Sequence, residues 1–176
     1  MAGPTCGMLL ADLGADVIKV EKLPGGDDSR GYREPRVNGV SAPFLILNRN
    51  KRGIALDLKK PQGREVLLRM VKTADVLTEN FRAGTLEKLG LGYDVLSQAN
   101  PGLIYCAVSG YGRTGPFADK GGFDLIAQGF AGLMSITGEP GGPPLKPGNS
   151  VADINAGILA ATGILAAYAH KLKTGQ

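Results

Sequence analysis

The chain has no tryptophan, two cysteines and a single histidine in 176 residues. Cys6 and Cys106 stand far apart in apolar segments. Two isolated cysteines build no disulfide framework, so the expected setting is intracellular: cytoplasmic, or mitochondrial in a eukaryote. His170 lies beside Lys171 near the end of a helical stretch, where its ordinary role is that of a helix C-terminal cation. One histidine and two distant cysteines exclude an ordinary zinc centre. Charge of one sign never accumulates: no run reaches five like charges, although 20 basic residues face 16 acidic ones. No nucleic-acid partner is expected, and the net charge of +4 suits a small phosphate-bearing anion. The longest apolar stretch, Ile154 to Ala169, holds 16 residues rich in Ala and Gly, short of the ~20 of a spanning helix. It reads as a helix packed in a protein interior, with no membrane partner. The opening "MAGPTCGMLLADLGADVIKVEK" lacks a basic start and is interrupted by acids, so it does not read as a signal peptide.

Glycine is abundant, at 27 residues, and implies many tight turns and close backbone approaches. Helical and extended patterns alternate. Residues 4–14 carry Pro early and Gly at the end, as a helix should. "ADVIKVE" follows as a strand, then the polar loop "LPGGDDSRGYREP". "RGIALDL" alternates apolar and polar residues and predicts a second strand. "PQGREVLLRMVKTA" predicts a helix with Val66, Leu67, Met70 and Val71 on one face. "ADVLTEN" is a third strand, "AGTLEKLGLGYDVLSQANP" two short helical turns, and "GLIYCAVSGYG" a fourth strand buried on both faces. A helix is expected from about Phe123 to Thr137, then the loop "GEPGGPPLKPG" and a last helix. This order predicts an α/β fold: a Rossmann-like, mostly parallel sheet with helices on both faces. Ligands of such sheets sit at the carboxyl ends of the strands, here "VEK", "LDLK", "TENFR" and "SGYGRTG". No "GxxxxGK[ST]" occurs, which excludes a P-loop; "GYGRTG" at 110–115 fits GxGxxG but runs on into the loop "PFADKGG" and not into a helix, so it makes no NAD fingerprint. The chain opens directly on a helix and stops just after one, so residues 1–176 read as one incomplete domain.

Several residues carry two readings. Asp153 is the only acid after Glu139. With Ser150 as N-cap it would be the acid of a capping box. It would equally serve as a nucleophilic carboxylate, able to form a mixed anhydride with an acyl group. Asn80, Phe81 and Arg82 follow a strand and offer directed donors and a stacking ring; the alternative is a polar loop with one apolar plug. Lys59 and Lys60 begin either a phosphate contact or a solvated helix start. "NRNKRG" at 48–53 is a basic turn that would attract phosphate. The glycines of "SGYGRTGP" either present backbone N–H groups to an anion or simply need positive φ. Asp124, at another helix start, has helix capping as its plain role.

Six segments in order, "AGPTCGMLLADLGADVIKVEK", "NRNKRGIALDLKKPQG", "ADVLTENFRAGTLEKLGLGYD", "PGLIYCAVSGYGRTGP", "GGFDLIAQGFAGLMSITGEP" and "VADINAGILAATGILAAY", cover nearly the whole chain. Together they resemble the family III (CaiB/BaiF) CoA-transferases, the group of formyl-CoA transferase and the α-methylacyl-CoA racemases. The resemblance implies that Asp153, in "VADINAG", is the nucleophile. It implies CoA contacts at Met1, Ala2, Lys22, Leu56 through Lys59, Asn80, Phe81, Arg82, Lys88, and Gly121, Gly122, Phe123 and Asp124. Position 121 holds Gly where some members carry a charged residue, with Lys120 one place earlier as its substitute. CoA thioester would be a substrate, with a carboxylic acid as acceptor and no prosthetic group. Racemases of the family use the histidine of "GHD"; here "GFD" places Phe123 there, so transfer is favoured over α-proton movement. "NRNK" and "GYGRTGP" resemble members acting on dicarboxylates such as succinate and glutarate. Family members are roughly twice this length and form interlocked homodimers. The resemblance therefore implies the family's large domain without its first strand, small domain and C-terminal part. The alternative is a non-catalytic remnant that binds CoA or a partner.

Overall fold

A computed structural model describes residues 1–32 and 35–175. Helix α1 (Ala2–Asp12) ends where Gly14 takes φ 101°, and the N–H groups of Gly14 and Ala15 bond back to Ala11 and Leu10. Strand β1 (Val17–Glu21) follows. The expected loop 23–35 contains a 3₁₀ turn at Asp28–Gly31; its Arg33 and Glu34 lie outside the described residues. Strands β2 (Arg36–Val37) and β3 (Val40–Ser41) form a small antiparallel hairpin. Its turn is Asn38-Gly39, both at positive φ, the pair that a tight hairpin requires. Helix α2 (Ala42–Asn48) leads into β4 (Lys51–Ala55), and Pro61 opens helix α3 (Pro61–Val71). Then come β5 (Val76–Glu79), α4 (Thr85–Lys88), α5 (Tyr93–Ala99) and β6 (Ile104–Ala107). The helix expected over 123–137 is two pieces, α6 (Asp124–Phe130) and a 3₁₀ turn at Leu133–Ile136. Gly132, at φ 79°, breaks it. Helix α7 runs from Val151 to Thr174.

The fold is α/β. Its parallel strands come as two pairs, β1 with β4 and β5 with β6, and no ladder joins β1 to β5 among the described residues. Helix α1 touches β1, β4 and β5, and so spans the two pairs. The two faces of β5 and β6 are covered differently. Leu77 and Tyr105 pack with α3 and α5 around Leu67, Val71, Leu91 and Leu96. Val76 and Cys106 point the other way, onto Cys6 of α1 and Ala161 and Ile164 of α7. Alternation along each strand thus divides one core into two layers. β6 is half-buried, not buried on both faces throughout. Helix α7 also departs from expectation. It is 24 residues long and apolar enough to cross a membrane by length and composition. It buries only one stripe, at Gly157, Ala161 and Ile164, while Leu159 and Leu172 are exposed. Its described packing partners, α1, α6 and β6, cover that side alone.

The basic turn at 48–53 is paired with groups of the chain itself and lies at the N-terminal edge of β4, away from the strand ends where ligands are expected. Arg49 and Asn50 bind Asp12, and Arg52 binds Asp16. Lys51 Nζ donates to the carbonyls of Pro4 and Leu47, both at 2.7 Å, and to Asn48 Oδ1 at 3.1 Å. Lys51 therefore ties α1 to the end of α2. Lys51→Met strips three acceptors of their donor and is expected to destabilise the fold by ~1–3 kcal/mol, read from urea unfolding. Burial pulls the Lys51 ammonium from 10.5 down to about 8. Between those two values the unfolded chain binds more protons at this lysine than the folded one, so its contribution to stability rises with pH there. That rise disappears in Lys51→Met.

Cys6 acts in the opposite sense. Burial, with Cys106 beside it, pushes its thiol from 9.0 up to about 11. The unfolded thiol ionises first, so this contribution is full below pH 9 and lost as pH rises toward 11. At pH 8 native Cys6 is expected to resist iodoacetamide and to react fully once the chain is unfolded.

Candidate functional site

The carboxyl ends of the two strand pairs carry most of the residues singled out above. At the β1–β4 end the Glu21 carbonyl accepts from the N–H of Leu56, so Lys22 and Leu56 leave the pair side by side. Lys22 is exposed, and its Nζ lies 2.5 Å from Asp28 Oδ1. Leu56 and Leu58 turn onto the core, which leaves Asp57 and Lys59 to shape the surface turn; the Lys59 N–H donates to Asp57 Oδ1.

At the β5–β6 end Asn80 Nδ2 donates to the Val108 carbonyl at 2.8 Å and ties the two strand exits together. Phe81 is about half exposed and its N–H donates to Glu79 Oε2 at 2.7 Å. The segment 121–124 lies across the end of β6. Gly110 and Gly122 cross so closely that a Cβ on either would stand 2.4 Å from the other's Cα. The Arg82 guanidinium packs on Gly121, 3.4 Å from where a Cβ would be. Lys120 places its ammonium over the Phe117 ring. Lys88, at the end of α4, is exposed. In "SGYGRTGP" Gly112 and Gly115 do take positive φ. Arg113, between them, is held by Glu79 at 3.1 Å and by Glu87, with Tyr105 Oη completing the cluster.

Asp153 sits in the first turn of α7, and its carboxylate keeps about a quarter of its surface exposed. The expected capping box does not form: the Ser150 side chain makes no cap hydrogen bond. Asp153 instead turns its Oδ2 to the Met1 amine at 2.9 Å. The cap comes from elsewhere. Asp124 Oδ1 accepts from the backbone N–H groups of Ala152, at 2.8 Å, and Asp153, at 3.1 Å. Asp124 therefore caps α7 and not its own helix, because the Gly110–Gly122 crossing brings α6 alongside.

Small residues bring α1 into the same place. Gly157 lies against Thr5 and the Ala2 carbonyl, and Gly3 lies against Asn80. Met1, Ala2, Asn80, Asp124 and Asp153 thus form one group at the start of α1 and α7. Phe123 stands beside it, 66% exposed, so no imidazole occupies that position. Lys22, Leu56 and Lys59 lie at the β1–β4 end and Lys88 at the end of α4, and none is bonded to Asp153 among the described residues. Sequence reasoning passed over Glu79 and Gln128, and noted Arg113 only as the Arg of a glycine-rich strand end. The acid closing "VLTE" and the i, i+4 spacing of Asp124 and Gln128 were the available signals. The arrangement offers a carboxylate free of its own helix cap beside a surface of Lys, Arg, Asn and exposed aromatic groups, suited to a long, phosphate-bearing ligand.

Known proteins of this shape bear on that chemistry. The family model for CoA-transferase family III matches residues 1–176. The succinate–glutarate CoA-transferase of Agrobacterium fabrum is 49% identical over 182 residues, which cover all of this chain and 46% of that protein. The mouse (Mus musculus) succinyl-CoA:glutarate CoA-transferase is 42% identical over 176 residues, covering 100% of this chain and 40% of its own length. A crystal structure of a CaiB/BaiF family protein from Brucella suis superposes with a TM-score of 0.95 at 45% identity, covering 100% of this chain and 47% of that one. The chain thus spans less than half the length of these relatives. Matched over every residue and superposed from end to end, it belongs to CoA-transferase family III.

Proposed function

We propose that this chain carries the nucleophilic half of an enzyme that transfers coenzyme A between carboxylic acids. The observation that carries the reading is the Asp153 carboxylate, released from its own helix by the Asp124 cap. Asp153 attacks the thioester carbonyl; the C–S bond breaks and CoA leaves as thiolate, giving an aspartyl–acyl anhydride. The thiolate attacks the aspartyl carbonyl, expels the first carboxylate and leaves an aspartyl-CoA thioester. The acceptor carboxylate attacks that thioester and displaces the thiolate again. Thiolate attack on the new acyl group frees acyl-CoA and restores Asp153. No electron changes hands, so the cycle calls for no redox group, and CoA enters as a substrate. Met1, Ala2, Lys22, Leu56 to Lys59, Asn80, Phe81, Arg82, Lys88 and Gly121 to Asp124 are the proposed CoA contacts. The named activities of the relatives favour succinate and glutarate as the acids. Residues 1–176 form one portion of the family's large domain. A second copy, in a homodimer, covers the exposed apolar side of α7.

Two other readings give different results. A non-catalytic remnant binds CoA without transfer. A 2-methylacyl-CoA racemase exchanges the α-hydrogen, for which Phe123 supplies no base. Succinyl-CoA and labelled glutarate, with hydroxylamine to trap the intermediate and peptide mass analysis to locate it, separate the transferase from the remnant. Transfer with the label on Asp153 is expected. A folded, CoA-binding chain that gives neither transfer nor label overturns the enzyme; deuterium entering the α-carbon of a 2-methylacyl-CoA points to the racemase.

A further inference from the structure

The first turn of α7 is held from outside by two residues in series. Asp124 Oδ1 takes the N–H groups of Ala152 and Asp153, and Asp124 Oδ2 accepts from Gln128 Nε2 at 2.5 Å. Gln128 is 1% exposed, and its Oε1 is buried with no hydrogen-bond partner among the described residues. An unpaired buried carbonyl is unfavourable, and an apolar side chain of that size would avoid it. The amide is thus poorly explained as a packing residue and well explained as a donor to Asp124. The geometry matters for Asp153. An acid at the third position of a helix commonly folds back onto the backbone at the helix start. It stays free when the first N–H groups are already bonded.

We propose that Gln128 and Asp124 are a positioning pair for Asp153: Gln128 fixes the Asp124 carboxylate, and Asp124 caps α7 in trans so that the Asp153 carboxylate projects toward α1. The proposal rests on the reading of Asp153 as the nucleophile, but its geometry is measured without coenzyme A. The variants are Gln128→Leu, Asp124→Ala and Asp124→Asn in the full chain. The readouts are amide hydrogen exchange at Ala152 and Asp153, and carbodiimide-driven coupling of an amine to Asp153, with exposed Asp16 as internal reference.

Gln128→Leu and Asp124→Ala are expected to speed exchange at both amides about fivefold, the size of a lost helix cap, and to slow Asp153 coupling relative to Asp16 by a similar factor. Asp124→Asn keeps an oxygen for the two N–H groups, and a rotated Gln128 amide accepts from its nitrogen, so both readouts return near wild type. A β6 amide, such as that of Cys106, reports any general loss of stability. Gln128→Leu with unchanged exchange and coupling overturns the pair, and so does Asp124→Asn behaving like Asp124→Ala. If Gln128→Leu does not fold, the Asn and Ala variants at 124 decide. If the variants show these effects while the wild-type protein gives no CoA transfer, the proposed function is refuted and the pair stands. Where transfer is measured, Gln128→Leu lowers kcat with little change in KM for the thioester, a split that lost packing alone would not produce.

Discussion

Asp153→Ala is expected to reduce CoA transfer by roughly a thousandfold or more while leaving the fold almost untouched, because the whole of the proposed covalent route passes through one carboxyl oxygen. The structure separates chemistry from stability at this position. Among the described residues the side chain makes one ion pair, with the Met1 amine, and both groups are partly exposed. Such pairs contribute about 0–1 kcal/mol. The backbone N–H of residue 153 still reaches Asp124, so the start of α7 survives the substitution. Unfolding midpoints close to wild type, CoA binding retained and transfer lost are the expected results. A variant that keeps its transfer rate removes Asp153 from the mechanism. Asp153→Asn should be as inactive, since the amide keeps the shape but is a poor nucleophile.

Two glycines of the same helix should answer an identical substitution with opposite signs. Helix interiors favour Ala over Gly by up to ~1 kcal/mol. At Gly163 a Cβ meets nothing within 4 Å, so Gly163→Ala should stabilise by about that amount. At Gly157 a Cβ would stand 2.6 Å from Thr5 Cβ and 2.7 Å from the Ala2 carbonyl oxygen. The contact cannot be relieved by a flexible tip, because one partner is backbone. Helix α1 must retreat, and overpacking of this kind costs about 1–3 kcal/mol, more than propensity returns. Gly157→Ala should therefore lower the unfolding midpoint where Gly163→Ala raises it. It should also weaken transfer, since α1 carries Met1 and Ala2 away from Asp153. Equal, favourable effects at both sites would mean that the α1–α7 crossing is looser than these distances imply.

Much of the fold was legible in the sequence because its signals are local. Pro61 opens α3, Gly14 closes α1, and Leu67 and Val71 mark the buried face of α3. The hairpin at Asn38-Gly39 and helix α2 were passed over, although the Asn-Gly pair is a local signal too. The single helix expected over 123–137 failed because Gly132 breaks a pattern that stays apolar on both sides. The pairing of the basic turn at 48–53 was not legible for a different reason: a charged string does not announce which of its members will be neutralised by distant partners.

The sequence by itself determined the alternation of strands and helices, the strand ends where a ligand would lie, and Asp153 as a carboxylate at the head of a small-residue helix. Spacing and turn chemistry act between neighbours, and neighbours are what a sequence displays. Only the tertiary structure decided what that carboxylate is free to do. Its cap arrives from Asp124, 28 residues before Ala152 in the chain, and α1 reaches it because Gly157 and Gly3 allow close approach. These contacts depend on how separate elements pack.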